Sequence, residues 1–396
     1  MLIGINATAA IKQPRTGVEE YTYQLIKHLT MLPEAGQHRF LLYLPAAKRD
    51  ANIRKHTNDT NRYFNFPLPE NFIIKELKWP LPFLWTQIRL AWEMLVRPPE
   101  VLSIPVHILP IFHPKNSVVT IHGLEYEYFP EYYSLRQRLY LRWSTKYALA
   151  RSRKIIAISG NTKSDLIKLY SGEATKIEMI HHGISFSGVI PAKAGIQESG
   201  FQLKAGMTIS KPYLLYLGRL EQKKNIEGIL EAYKILKEKH QIPHQLVLAG
   251  APGYGYDNLK LKIDNLLKIE NCKLKIIEIG YISEDDKRQL LGNADIFLFP
   301  SFYEGFGLPV LEAQATRVPV VTSYNSCLPE IAGEGALFVN PKNPAQIAEA
   351  VKSVIDDKNL RDKLIESGCE NLKRFSWSKC ARETLKYIIN ESRISP

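Results

Sequence analysis

From its first residues the chain alternates short runs of consecutive apolar residues with longer stretches whose apolar positions recur every three or four residues. The runs fall at 2–6, 40–44, 72–77, 118–122, 154–159 and 176–181 in the first half. In the second half they fall at 213–218, 245–250, 274–280, 295–300, 318–322 and 336–340. Val- and Ile-rich strands of this kind, separated by amphipathic helices, predict parallel sheets covered on both faces. The stretch after Gly218 shows the helical half of the pattern. Ile226, Ile229, Leu230, Tyr233 and Leu236 share one stripe, with lysines and glutamates opposite.

The alternation runs twice, with a break between. Residues 186–210 lose the pattern and carry Gly188, Pro191, Gly195, Gly200 and Gly206, which reads as a linker. Within it, Val189-Ile-Pro-Ala-Lys-Ala-Gly-Ile-Gln197 resembles a peptide encoded by a mobile bacterial repeat and is expected to be a surface insertion without function. A length of 396 residues also favours two domains over one core. The expected division is a first domain over 1–185, the linker, a second domain over 211–372, and a final segment over 373–396 with a helix at 379–389. In doubly wound sheets ligands gather at the carboxyl ends of the strands, and between two such domains a cleft is the default site.

Composition, at 45% hydrophobic and 23% charged, is that of a folded protein. A formal net charge of +12 implies attraction to something anionic without choosing among nucleic acid, anionic lipid, phosphorylated substrate and nucleotide. Seven basic residues (Arg136, Arg138, Arg142, Lys146, Arg151, Arg153, Lys154) and no acid lie between 134 and 154. Leu135, Leu139, Trp143 and Tyr147 recur there at every fourth position. The simpler reading is a domain helix with a solvated basic face; the alternative is docking on anionic lipid. Cys272, Cys327, Cys369 and Cys380 have neither paired spacing nor a neighbouring His, as expected of reduced thiols in a cytoplasmic protein. Residues 1–6 lack a basic lead and a cleavage site, so they read as a strand and not a signal peptide. A membrane span needs about 20 apolar residues, and the nearest candidate, 81–96, is interrupted by Arg89 and Glu93.

The most informative segment is 295–312. A buried strand, Ile296-Phe-Leu-Phe-Pro300, leads into Ser-Phe-Tyr-Glu304-Gly-Phe-Gly-Leu-Pro-Val-Leu-Glu312. Pro309 suits the first position of a helix, where a missing N–H costs nothing. Gly305 and Gly307 let backbone approach a ligand, and the free amides of the helix start face an anion such as a diphosphate. Glu304 and Glu312 could hold different hydroxyls of one extended ligand. Each acid alone is commonplace, because acids favour a helix N-terminus anyway.

This string resembles the E-x7-E element of the retaining glycosyltransferases of family 4, which have the two-Rossmann GT-B fold. The similarity continues through Ala313-Gln-Ala, Val318-Pro-Val-Val321 and Pro329-Glu-Ile-Ala-Gly333. It implies that Glu304 contacts the donor sugar, that Glu312 contacts the nucleotide ribose, and that Gly305, Phe306, Gly307 and Leu308 line sugar and phosphates. Tyr281 is carried with them as a donor-side residue. The segment Gly218-Arg219-Leu-Glu-Gln-Lys-Lys224-Asn is similar to the family's Gly-Arg-x4-Lys-Asn element, with Arg219 and Lys224 serving the leaving diphosphate. Lys223 stands beside Lys224 as a third cation of this loop.

In the first half, Gly17 follows the first strand, opens a helix carrying Val18, Tyr21, Leu25 and Leu29, and resembles the family's loop near the donor phosphates. His122 ends the strand 118–122 where the family has His-Asp; Gly123 stands at the Asp position. By the resemblance His122 lies near the donor sugar. His181 and His182 read as hinge or acceptor-side residues; adjacent side chains point apart, which disfavours a metal pair. The chain contains no Asp-x-Asp, so no donor-bound metal and no cofactor is expected. Gly250-Ala-Pro-Gly253-Tyr-Gly255 does not fit the dinucleotide fingerprint, which argues against NAD.

The resemblance thus implies an α/β protein of GT-B fold: two Rossmann-like domains with parallel sheets facing a central cleft. The first would be acceptor-side, the second would bind the donor, and the last helix would cross back to the first. It implies transfer of a sugar from a nucleotide diphosphate, best matched by GDP-mannose, to a glycan or lipid-linked acceptor with retention. UDP-glucose and UDP-N-acetylglucosamine stay open as donors. The setting is cytoplasmic, with an anionic membrane surface as a further partner and no nucleic acid. Two rivals stand: a sugar-nucleotide epimerase of the same fold, and a non-enzymatic basic protein that binds membrane or nucleic acid.

Overall fold

The computed structural model describes residues 1–13, 15–46, 63–81, 83–185, 201–203, 206–268 and 274–389. The repeat-like segment 189–197 and Cys272 lie outside them. The chain divides into two compact units, Met1–Gly183 with Phe375–Pro396, and Ile184–Arg374.

The first unit is a seven-stranded sheet of β1 (Leu2–Asn6), β2 (Arg39–Pro45), β3 (Phe72–Leu77), β4 (Val101–Ile104), β5 (Ser117–Ile121), β6 (Lys154–Ala157) and β7 (Ile177–Met179). Their order is β3-β2-β1-β4-β5-β6-β7, and every pairing is parallel. β1, β4, β5 and β6 are almost wholly buried, as expected of strands packed on both faces. β4 is absent from the predicted runs: its four residues sit between Pro98-Pro99 and Pro105, and prolines punctuate a sequence as a turn does.

The helix Trp377–Ile389 belongs to this unit and packs on the helix Gly17–Leu29. Lys154 Nζ donates to the Tyr387 carbonyl at 2.9 Å and lies 3.8 Å from the centre of that ring. Lys154 is therefore a buried anchor for the last helix and leaves the basic surface run predicted at 134–154. Gly183 is tightly constrained: a Cβ there would lie 2.0 Å from the backbone nitrogen of Trp377.

The second unit begins differently from the expected linker. β8 (Phe201–Gln202) and β9 (Thr208–Ile209) form a small antiparallel hairpin, and Leu203 and Ile209 are buried in the core of this unit. Two apolar anchors in ten residues are too few to register as periodicity. The main sheet comprises β10 (Tyr213–Leu217), β11 (Gln245–Ala249), β12 (Ile276–Ile279), β13 (Ile296–Phe299), β14 (Val320–Ser323) and β15 (Ala336–Val339). Their order is β12-β11-β10-β13-β14-β15, again all parallel. In both sheets the direction of winding reverses beside the first strand, between β1 and β4 and between β10 and β13. Loops leaving adjacent strands diverge at such a switch point and open a crevice.

Candidate active site

In the second unit, the loops after β10 and β13 leave the sheet at the switch point and carry the two predicted motifs. The Lys224 ammonium meets the Glu304 carboxylate at 2.5 Å, and both side chains are largely withdrawn from solvent. Residues 80 apart in sequence thus form one ion pair. In so dry a setting each charge depends on the other, because an uncompensated buried charge is costly.

The scaffold beneath this pair is polar and specific. Asn225 adopts a left-handed conformation at φ +59° and caps the helix Ile226–Glu238 by accepting from the Gly228 amide at 3.2 Å. Its amide nitrogen donates to the Pro300 carbonyl at 3.1 Å and the Pro341 carbonyl at 2.6 Å. Phe302 N donates to the Lys223 carbonyl at 2.9 Å, a second tie between the loops. Ser326 accepts from the Glu304 amide at 3.0 Å and donates to the Glu304 carbonyl at 2.5 Å. The buried Cys327 thiol lies 3.1 Å from the Glu304 and Phe306 carbonyls. Burial, then the Glu304 and Glu330 charges, push its ionisation well above the usual range, so it stays a neutral S–H donor. The backbone around Glu304 is held from below while the carboxylate remains beside Lys224.

Gly307, at φ +95°, precedes the helix Leu308–Ala315, so Pro309 is the second helical residue and not the first. Phe306 is buried, while Gly305 and Leu308 are partly exposed. One turn on, Glu312 pairs with Lys287 at 2.7 Å, and Lys287 also reaches Glu284 at 2.9 Å. Burial pulls the Lys287 ammonium down, but the two carboxylates prevail and hold it above its ordinary range. Arg219 is less fixed: its side chain is exposed, with Nε 3.9 Å from Glu221. Its carbonyl accepts from the buried Tyr216 hydroxyl at 2.9 Å. Lys223 pairs with Glu221 at 3.3 Å. Tyr281 stands exposed in the loop after β12. Lys224 and Glu304 are thus brought into contact, whereas Glu312 pairs with Lys287, Arg219 lies toward Glu221, and Tyr281 is exposed.

In the first unit, Gly17 opens its helix on the exposed side after β1, with Thr16 as N-cap and Glu19 completing the capping box. Nothing lies within 4 Å of where its Cβ would be. Tyr21 of that helix meets the His122 ring edge-on, with centroids 4.9 Å apart. His122 Nε2 lies 2.7 Å from the Pro105 carbonyl, so that nitrogen donates and Nδ1 keeps the lone pair. Burial lowers the imidazole to about 4 against the opposing pull of that hydrogen bond, which leaves it neutral at pH 7. Orientation comes from Pro105 at the end of β4, in a chain with Gly123 at the Asp position.

His182 stands in the core and not on an acceptor surface. It is buried and stacks with Tyr21 at 4.6 Å and Trp377 at 5.7 Å. His181 sits 5.3 Å from Phe375. Sequence reasoning missed the supporting residues Asn225, Ser326, Cys327, Lys287 and Pro105. Asn225 had a local signal, an Asn at a loop–helix junction. The others reach their partners only through the fold. Among the described residues, no three His, Cys, Asp or Glu are grouped as metal ligands.

Two family models match the chain: "Glycosyltransferase Family 4" over residues 15–187, and "Glycosyl transferases group 1" over 204–370. O-antigen chain mannosyltransferase B of Escherichia coli is 28% identical over 389 residues, 96% of this chain and 98% of that protein. O-antigen chain mannosyltransferase RfbU of Salmonella typhimurium is 23% identical, covering 76% of this chain and 74% of that one. Among solved structures, sucrose-phosphate synthase from Thermosynechococcus elongatus superposes over both full chains with a TM-score of 0.73 at 18% identity. That likeness shows the fold, GT-B.

Proposed function

We propose that this chain, which belongs to the glycosyltransferases of family 4 and group 1, transfers mannose from GDP-mannose to a lipid-linked glycan with retention. The similarity to two O-antigen chain mannosyltransferases supports the sugar and the polysaccharide setting. The observation that carries the donor site is the Lys224–Glu304 pair at the β10/β13 switch point. An incoming nucleotide sugar offers each partner a replacement. The diphosphate takes the Lys224 ammonium, and sugar hydroxyls take the Glu304 carboxylate. The pair therefore keeps both charges satisfied until the donor arrives and places them side by side when it does.

As the sugar–phosphate bond breaks, negative charge grows on the diphosphate and positive charge on the sugar ring. Lys224, the exposed Arg219 and the amides at the start of the helix Leu308–Ala315 stabilise the first. Glu304 orients the sugar, and Glu312 receives the ribose. In the first unit, His122 is neutral at pH 7 and keeps a lone pair at Nδ1. The acceptor is a glycan or lipid-linked oligosaccharide, and the enzyme works in the cytoplasm at the inner face of the membrane.

The test is incubation with GDP-mannose and a polyprenyl-diphosphate-linked oligosaccharide, followed by NMR of the product. The expected product is an α-mannoside formed only with acceptor present. A β-mannoside would overturn the stereochemistry, and conversion of the sugar nucleotide without acceptor would establish the epimerase.

A further inference from the structure

Each carboxylate of the 304–312 string meets a lysine from another segment of the second unit. Lys224, the partner of Glu304, lies in the loop after β10. Lys287, the partner of Glu312, comes from the helix Glu284–Asn293, which follows β12 in the chain. We propose that Lys287 is a positioning residue for nucleotide binding, which orients the Glu312 carboxylate to accept the hydroxyls of a ribose. The proposal rests on the reading that Glu312 receives the ribose, and it holds for either base.

The lysine stands on a fixed element. Ser283 caps its helix, accepting from the Asp286 amide at 3.1 Å and donating to the Asp286 carboxylate at 2.8 Å. Leu290 and Leu291 of the same helix are buried in the core of the unit. From that base the ammonium reaches Glu312 Oε1 at 2.7 Å and Glu284 Oε2 at 2.9 Å. The two acids are not equivalent. The Glu284 side chain is 74% exposed, where an ion pair contributes little. Those of Lys287 and Glu312 are only 15% and 16% exposed, so their contact is the stronger restraint.

Glu312 is the fifth residue of the helix Leu308–Ala315. Helical side chains lean toward the N-terminus, so its carboxylate leans toward the helix start that Gly307 opens. A glutamate side chain is flexible, and ordering it at the moment of binding costs affinity. The ammonium orders it beforehand. Carboxylate oxygens accept hydrogen bonds, so a group anchored through Oε1 presents a vicinal diol with acceptors in a set direction. Lys287 acts through Glu312 and need not touch the nucleotide.

The test is calorimetric titration of the full chain with GDP, with UDP and with the dideoxy analogue of each, which lacks both ribose hydroxyls. The parent is expected to prefer its ribonucleotide over the dideoxy form by more than about tenfold. Lys287→Met, shown to be folded by circular dichroism, should bind the ribonucleotide about tenfold more weakly and the dideoxy form within about threefold of the parent. Lys287→Arg should restore the preference. Glu312→Gln alone and Glu312→Gln with Lys287→Met should bind alike, because the lysine acts only through the carboxylate. This double variant also carries no orphaned buried charge, so it tests the proposal even where Lys287→Met does not fold. A Lys287→Met variant that keeps the parent's preference would overturn the proposal alone, as would equal weakening toward both forms or a further loss in the double variant. A parent that binds both forms equally would overturn the ribose role of Glu312 and this proposal with it. A parent that binds no nucleotide would overturn the donor site itself.

Discussion

Lys224 and Glu304 stabilise one another at 2.5 Å in the unliganded protein, so replacing either one also changes the environment of the other. Their proposed roles nevertheless differ in a way that binding and turnover separate. Glu304→Ala removes the group that orients the sugar and leaves the cation free for phosphate. Its turnover is expected to fall about 100- to 1,000-fold while GDP affinity, by titration calorimetry, stays within about threefold. Lys224→Ala leaves a buried carboxylate without its partner and the diphosphate without its cation. Turnover and GDP affinity should both fall, and the unfolding midpoint with them. Equal loss of GDP affinity in the two variants would show that the roles are misassigned. These two residues were legible in the sequence because each sits in a compact local string. Asn225 was only half legible: its capping position is local, but its carbonyl partners lie 75 and 116 residues away. Ser326 and Cys327 gave no signal at all, since their task of holding the Glu304 backbone exists only once β13 and β14 are side by side.

Helix packing in the first unit runs through rings: Tyr21 on the helix Gly17–Leu29, His182 after β7, and Trp377 at the start of the last helix. Burial drives His182 well below the ordinary imidazole range, with the nearby His122 and His181 acting in the same direction. His107 is lowered to about 3, first by burial and then by His122. Such histidines are neutral in the folded chain and take up protons in the unfolded chain below about pH 6.5. The unfolded state then binds more protons, so this stability is complete above pH 6.5 and is lost as pH falls toward 4 and below. His182→Phe keeps a flat ring in the stack and removes one titrating group. Thermal unfolding of this variant should show a shallower decline between pH 6.5 and 4 than the parent, with little change at pH 7.5. Parallel declines would mean that His182 titrates normally. At this scale the apolar runs located nearly every strand, because a strand covered on both faces must be continuously apolar. Val101–Ile104 escaped through its flanking prolines. The helix 85–96 was read only as an interrupted membrane span, because the inward pairing of Arg89 and Glu93 is a tertiary fact.

Two α/β units, each with a switch point beside its first strand, account for the whole molecule's chemistry in simple terms. The second unit places a cation–carboxylate pair and a glycine-led helix start at its switch point. The first places a neutral histidine and an open helix start near its own. The GT-B fold was legible because the same strand–helix alternation occurs twice in one chain, while the hairpin at 201–209 was not, having only two anchors. The identity of the nucleotide lies beyond pattern, since base recognition depends on loop positions that no local string specifies. The central claim is that the second unit binds a guanosine diphosphate sugar, and thermal unfolding of the full chain with GDP or with UDP tests it most directly. GDP at about 100 times its Kd should stabilise the folded state by about 2.7 kcal/mol, with no comparable effect of UDP. Stabilisation by UDP alone would contradict the assignment of the donor, and an unfolding transition that neither nucleotide moves would contradict the account itself.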